Sequence, residues 1–196
     1  MDKFHTIAIS AVITLALGTG VVAENLSKDE YKAAKDRIEA TYRADKRRCD
    51  SMSGNAQDIC NAEAEGREKI DLADLDARNN PTPEMRYEAL IVKAEADYKV
   101  ASEKCDDKAG NAKEVCLKNA AAAETSAKAD AKAQLKISDA EAADYEKSAA
   151  ERREAYVQAA KEKDSAGYEV QKQKCADYQG ETEEQCVSDA KAQYGK

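Results

Sequence analysis

Aromatic and apolar positions recur along this chain with helical spacing, measured backwards from three cysteines. Tyr42, Tyr98 and Tyr168 stand seven residues before Cys49, Cys105 and Cys175, and Tyr31 and Tyr87 stand eighteen before the first two. Offsets of 0, 7, 11 and 18 return to one face of an α-helix, because about 3.6 residues make a turn. Tyr31, Ile38, Tyr42 and Cys49 therefore line one stripe, and Tyr87, Ala94, Tyr98 and Cys105 line its counterpart. The third unit departs, with Val157 at the eighteenth place and Tyr156 just before it. Such stripes pack a narrow helix seam; a Tyr face for stacking carbohydrate or docking peptide is the alternative.

Helix boundaries are written beside these stripes. Ser27-x-x-Glu30 is a capping box, and Thr82-Pro83 supplies an N-cap followed by Pro at the first helical position. Asn79-Asn80-Pro81 breaks the chain between them. The frames CDSMSGNAQDIC (49–60), CDDKAGNAKEVC (105–116) and CADYQGETEEQC (175–186) share one layout. In each, Gly54, Gly110 or Gly180 suits the left-handed C′ position that ends a helix, and Asn55, Asn111 or Thr182 suits the cap of the next.

Cysteines eleven residues apart on one straight helix would lie about 16 Å apart, whereas a disulfide needs Cα atoms roughly 4.4–6.8 Å apart. The Gly turn must therefore fold the chain back if Cys49–Cys60, Cys105–Cys116 and Cys175–Cys186 are bridged. Six cysteines allow 15 connectivities, and the threefold frame singles out this one. Small residues past each second Cys, such as Ala62 and Ala64, Ala120 to Ala123, and Ala190 and Ala192, permit close helix approach. The expected fold is all-α: three disulfide-stapled antiparallel helical hairpins, elongated or coiled-coil-like, in units 24–80, 81–137 and 138–196. Ser138-x-x-Glu141 is the only start signal for the third unit, so one long helix over 111–166 is the alternative there.

Composition explains why staples are needed. Residues 24–196 hold 6 Leu, 5 Ile and 6 Val among 173 positions, with no Phe, Trp or His. That is about a tenth, well under the roughly 20% of large aliphatics and Phe that folding chains usually carry. A large globular core is excluded. Residues 1–23 read as a cleaved signal peptide, with Lys3, an apolar stretch from Ile7 to Leu17 and Val21-Val22-Ala23 as the cleavage site. An uncleaved anchor is the lesser reading, since the stretch is short for a bilayer span. An exported chain with an even cysteine count implies an oxidised disulfide framework.

The same inventory excludes most chemistry. Without a His in the mature chain there is no Ser-His or Cys-His nucleophile, and the Cys spacing does not match zinc ligation or a CxxC redox centre. Neither phosphate-binding glycine motif nor a calcium loop occurs. Net charge is −8 with both signs interleaved, which argues against nucleic acid as a partner. No catalytic, cofactor or metal site is expected, and no stable membrane insertion after signal cleavage.

The segments LSKDEYKAAKDRIEATYRADKRRC, GNAKEVC and AEADYKVASEKCDDKAGNA resemble a group of small exported Ala/Lys/Glu-rich proteins of Gram-negative, chiefly beta-proteobacterial, bacteria. Such proteins are sometimes labelled TolA-like; the likeness to TolA is in the Ala/Lys/Glu stalk composition alone. The resemblance implies an envelope location and no activity. The expected function is a noncatalytic periplasmic scaffold or interaction protein, tied to stress, with a protein or cell-envelope partner or a second copy of itself. The alternatives are a chaperone-like protective protein and a metal-binding or redox-responsive one.

Overall fold

A computed structural model describes residues 26–141 and 145–196; the expected signal peptide, 1–23, lies outside the described residues. Six helices make up the described chain: α1 (Lys28–Cys49), α2 (Asn55–Asn79), α3 (Pro83–Cys105), α4 (Gly110–Glu141), α5 (Tyr145–Cys175) and α6 (Glu181–Tyr194). The expected starts of the first and third of these hold. Ser27 accepts from the Glu30 N–H and the Glu30 carboxylate accepts from Ser27 in return, while Thr82 caps Met85 ahead of Pro83.

The three expected disulfides are formed, with Cα atoms 5.4, 5.6 and 5.6 Å apart. They make three antiparallel hairpins: α1 with α2, α3 with α4, and α5 with α6. The hairpins also pack on one another, through α2 against α3 and α4 against α5, and the α4·α5 seam is the most extensive of all. Among the described residues each helix packs only on its neighbours in sequence. The result is a single layer of six alternating helices, open on both faces.

This arrangement dictates an unusual burial pattern. Cys60 and Ala64 cluster with Cys49 of α1, whereas Gly66 sits against Ala96 of α3. Cys60, Ala62, Ala64 and Gly66 are all buried while the residues between them are half-buried. Positions two apart on a helix point about 200° apart, so a period of two is what a helix sandwiched between two neighbours requires. Ala129, Ala131 and Ala133 repeat it on α4, where Ala129 and Ala133 meet Ala155 and Ala159 of α5. Among the described residues, thirteen of the nineteen buried apolar ones are alanine and four are cysteine, so the seams are thin and closely approached. Leu75 is the one large aliphatic side chain buried completely among the described residues.

Two expectations are corrected. Ser138 lies inside α4, which runs on to Glu141, because the run 136–139 has neither Gly nor Pro to stop it. A single helix over 111–166 is equally ruled out, since α5 folds back along α4, bringing Asn111 to Gln173 and Lys132 to Glu162. The boundary of α2 and α3 does fall at the Asn-Asn-Pro break, where Asn80 leaves helical geometry at φ −133°.

Candidate interaction surfaces

The stapled tips are the most regular local feature. Odd-numbered helices end at Cys49, Cys105 and Cys175, and the even-numbered ones start at or just after Gly54, Gly110 and Gly180. Since the helices alternate, all three tips lie along one edge of the layer. In each tip the third residue past the cysteine donates its N–H to the cysteine carbonyl, as Met52, Lys108 and Tyr178 do at 2.9, 3.0 and 3.0 Å. Met52 and Tyr178 expose 40% and 50% of their surface there, which places apolar groups on the solvent edge.

The tip glycines keep the positive φ expected of them but not the expected role. Gly54 and Gly180, at φ 60° and 62°, are the N-caps of α2 and α6, and Gly110, at φ 55°, opens α4. α1 and α3 instead end with right-handed Asp50 and Asp106. A positive φ marks a Gly turn without saying which helix owns it. With Gly at the cap, Asn55 falls inside the first turn of α2, where its amide is buried without a hydrogen-bond partner. Asn111 does not cap either. Its amide group accepts from Gln173 Nε2 at 2.7 Å and donates to the Gln173 carbonyl, tying α4 to α5. Thr182 lies in the first turn of α6, which has no side-chain cap.

The stripe residues Tyr31, Ile38, Tyr42, Tyr87, Tyr98 and Tyr168 are all half-buried at helix seams. Tyr42 covers the Cys49–Cys60 bridge and Ala64. Tyr31 donates from its hydroxyl to Asp76 at the far end of α2, and this bond, with burial and the Asp76 charge, raises the phenol above its ordinary pKa. Tyr156 and Val157, where the third stripe departs from pattern, are 64% and 40% exposed. α6 has 14 residues against 31 in α5, and its last aromatic, Tyr194, rests over Gly167, well short of them.

Ion pairs knit neighbouring helices rather than converging on a cleft. Arg67 meets Asp45 at 3.2 Å, Lys104 meets Glu63 at 2.8 Å and Lys128 meets Glu95 at 2.8 Å, while Lys163 pairs with Asp130. The other shifted groups lie on helix surfaces. Hydrogen bonds raise Lys32 through Asp36, Lys99 through Glu103, and Lys128 through Glu124 and Glu95. Ser27 holds Glu30 low, and the Gln158 amide and then Lys132 hold Glu162 low against partial burial. Among the described residues no three His, Cys, Asp or Glu side chains are grouped to hold a metal ion.

Where α2 and α3 close to contact at Gly66 and Ala96, grooves open on the two sides of the seam. The larger, about 540 Å³, has an apolar floor of Leu72, Ala73, Met85, Ala89 and Val92 between rims of Glu65, Lys69, Glu88 and Lys99. The smaller, about 390 Å³, runs past Ile70 and Val100. Neither brings together a nucleophile and a base. Both suit contact with an extended apolar surface. Sequence reasoning missed these grooves, the Asn111–Gln173 tie and the glycines Gly66 and Gly167. The paired small residues Ala62-x-Ala64-x-Gly66 and Ala94-x-Ala96 carried the signal.

Comparison with protein-family models, with curated proteins and with solved structures finds no match for this chain. Among the described residues no helix is long and apolar enough to cross a membrane.

Proposed function

We propose that this chain is a noncatalytic helical scaffold and interaction protein of the bacterial envelope, exported to the periplasm. The observation that carries the reading is the open single layer: among the described residues every helix packs only on its sequence neighbours, which leaves faces and edges for partners. Three disulfides, each closed within its own hairpin, suit an oxidising compartment. The test is crosslinking in periplasmic extract, with nonreducing peptide mapping of the recovered chain. A mature start at Glu24, the three bridges intact and a crosslinked protein or cell-wall partner are expected. Free thiols, or a strictly monomeric chain that captures nothing, would sink the proposal.

The apolar grooves beside the α2·α3 seam favour a second reading, a chaperone-like protein that holds unfolded clients on its open faces. Light scattering of an aggregating client decides it. Unchanged aggregation at stoichiometric protein removes this reading and leaves the first untouched.

A further inference from the structure

Among the described residues each interior helix has a neighbour on both sides, whereas α1 and α6 have one each. On α1 the residues turned to α2 include Tyr31, Ile38, Tyr42 and Asp45. Two positions on from these, about 200° round the helix, stand Ala33, Ala40, Ala44 and Arg47, all exposed. On α6 Cys186, Ala190 and Tyr194 meet α5. About half a turn away stand Glu181, Gln185, Ser188 and Ala192, again all exposed. The outer edge of α1 thus carries three alanines and that of α6 carries Ser188 and Ala192, small side chains like those that form the buried seams inside the layer.

Direction and charge fit as well. Odd-numbered helices run toward the stapled edge and even-numbered ones away from it, so α1 and α6 are antiparallel. The alternation would continue if α6 of one molecule lay beside α1 of the next. In the register of the α4·α5 seam, where Asn111, five residues before Cys116, meets Gln173, two before Cys175, Glu181 of α6 would come opposite Arg47 of α1. The first turn of α6 is acidic, with Glu181, Glu183 and Glu184, and the last turn of α1 is basic, with Lys46, Arg47 and Arg48. Among the described residues Arg47, Glu181 and Glu184 enter no ion pair within the chain, unlike Arg48, which meets Asp45.

We propose that these edges dock, α6 of one molecule against α1 of a second copy, joining molecules head to tail in one continued helix layer. The proposal rests on the scaffold reading and names a second copy as its partner. Such an interface uses two different patches, so copies add head to tail, into a ring where the rotation between them closes and into an open chain where it does not.

Sedimentation velocity on the oxidised protein tests it, with helix content followed by circular dichroism. Species of several chains should grow with concentration and shrink with added salt, since exposed charges are screened. Arg47→Glu and Glu181→Arg should each weaken association roughly tenfold, and the two together in one chain should restore it. Both positions are exposed, so the fold should survive the changes. A single-chain species at every concentration, with helix intact, overturns the docking; partner capture from the envelope then judges the scaffold reading separately. Growth that ignores both substitutions and their combination would show another surface at work and overturn this assignment of edges.

Discussion

The first and third hairpins share one tip geometry and differ in what stands behind it. In α1·α2, helices of 22 and 25 residues run side by side to the far end, where Tyr31 clasps Asp76. In α5·α6, a helix of 14 residues lies along one of 31 and stops at Tyr194, leaving Tyr156 and Val157 of α5 uncovered on that side. The tip therefore sets the reversal of the chain, and the length of paired helix decides how much else holds the two together. Where the seam is short, the staple carries more of the burden.

Cutting the staples should expose that difference most strongly. Replacing Cys175 and Cys186 by serine should release α6, with amide exchange over 181–194 accelerating by an amount equivalent to about 3 kcal/mol in the chain-entropy view of so small a ring. The matching Cys49 and Cys60 replacement should leave α1 docked, slowed in exchange by its long seam. Equal loss in the two hairpins would show that seam length does not matter.

A smaller effect is expected at Gly167. A Cβ there would come within 2.6 Å of the Tyr194 ring, so Gly167→Ala should push the ring aside and loosen α6 by about 1–3 kcal/mol, read by the same exchange experiment. Gly66→Ala meets Ala96 at 3.2 Å while gaining helix propensity of about 1 kcal/mol in α2, so it should change stability less. The tip glycines, by contrast, should not separate the hairpins. Gly54→Ala and Gly180→Ala place a Cβ in open space at positive φ and strongly negative ψ, so each should cost about 1–3 kcal/mol for backbone reasons alone, measured by thermal unfolding.

The finest distinction is one of pH. Asp76 raises the Tyr31 pKa in the folded chain, so this contribution is fully present below the phenol's unfolded value near 10. It is lost as pH rises through the higher folded value. Alkaline titration should therefore loosen the start of α1 in the parent protein, with no matching step in Tyr31→Phe and none in α6. Tyr31→Phe itself should cost under about 1 kcal/mol at neutral pH, because the hydroxyl is only part-buried.

Much of this was legible beforehand because the tips are local. Two cysteines eleven apart around a glycine leave the chain little choice, and Ser27-x-x-Glu30 and Thr82-Pro83 spell out helix starts through contacts within one turn. The actual places of Asn55 and Asn111 were not legible, because Gly54 and Gly110 already occupy the turn and free those side chains for other environments. The layering itself was written in Ala62, Ala64 and Gly66, yet a search at the helical period overlooks a repeat of two. That repeat arises only when a helix is gripped from both sides. The reversal between α4 and α5 had no Gly or Pro in 136–139 to announce it; it is held by their alanine seam, with Ala129 and Ala133 against Ala155 and Ala159, and by the Asn111–Gln173 tie.

Packing restricted to sequence neighbours also shapes how the chain finds its structure. Each native cysteine pair closes a loop of eleven residues, whereas the nearest cross-hairpin pair, Cys60 and Cys105, is 45 residues apart. Short loops close in roughly 10–100 ns and cost less entropy than long ones. Native bridges are thus favoured over the other pairings before any seam exists. Each helix can then dock as soon as the one before it has formed, so folding can proceed like a zip from either end or from any tip, with low contact order throughout.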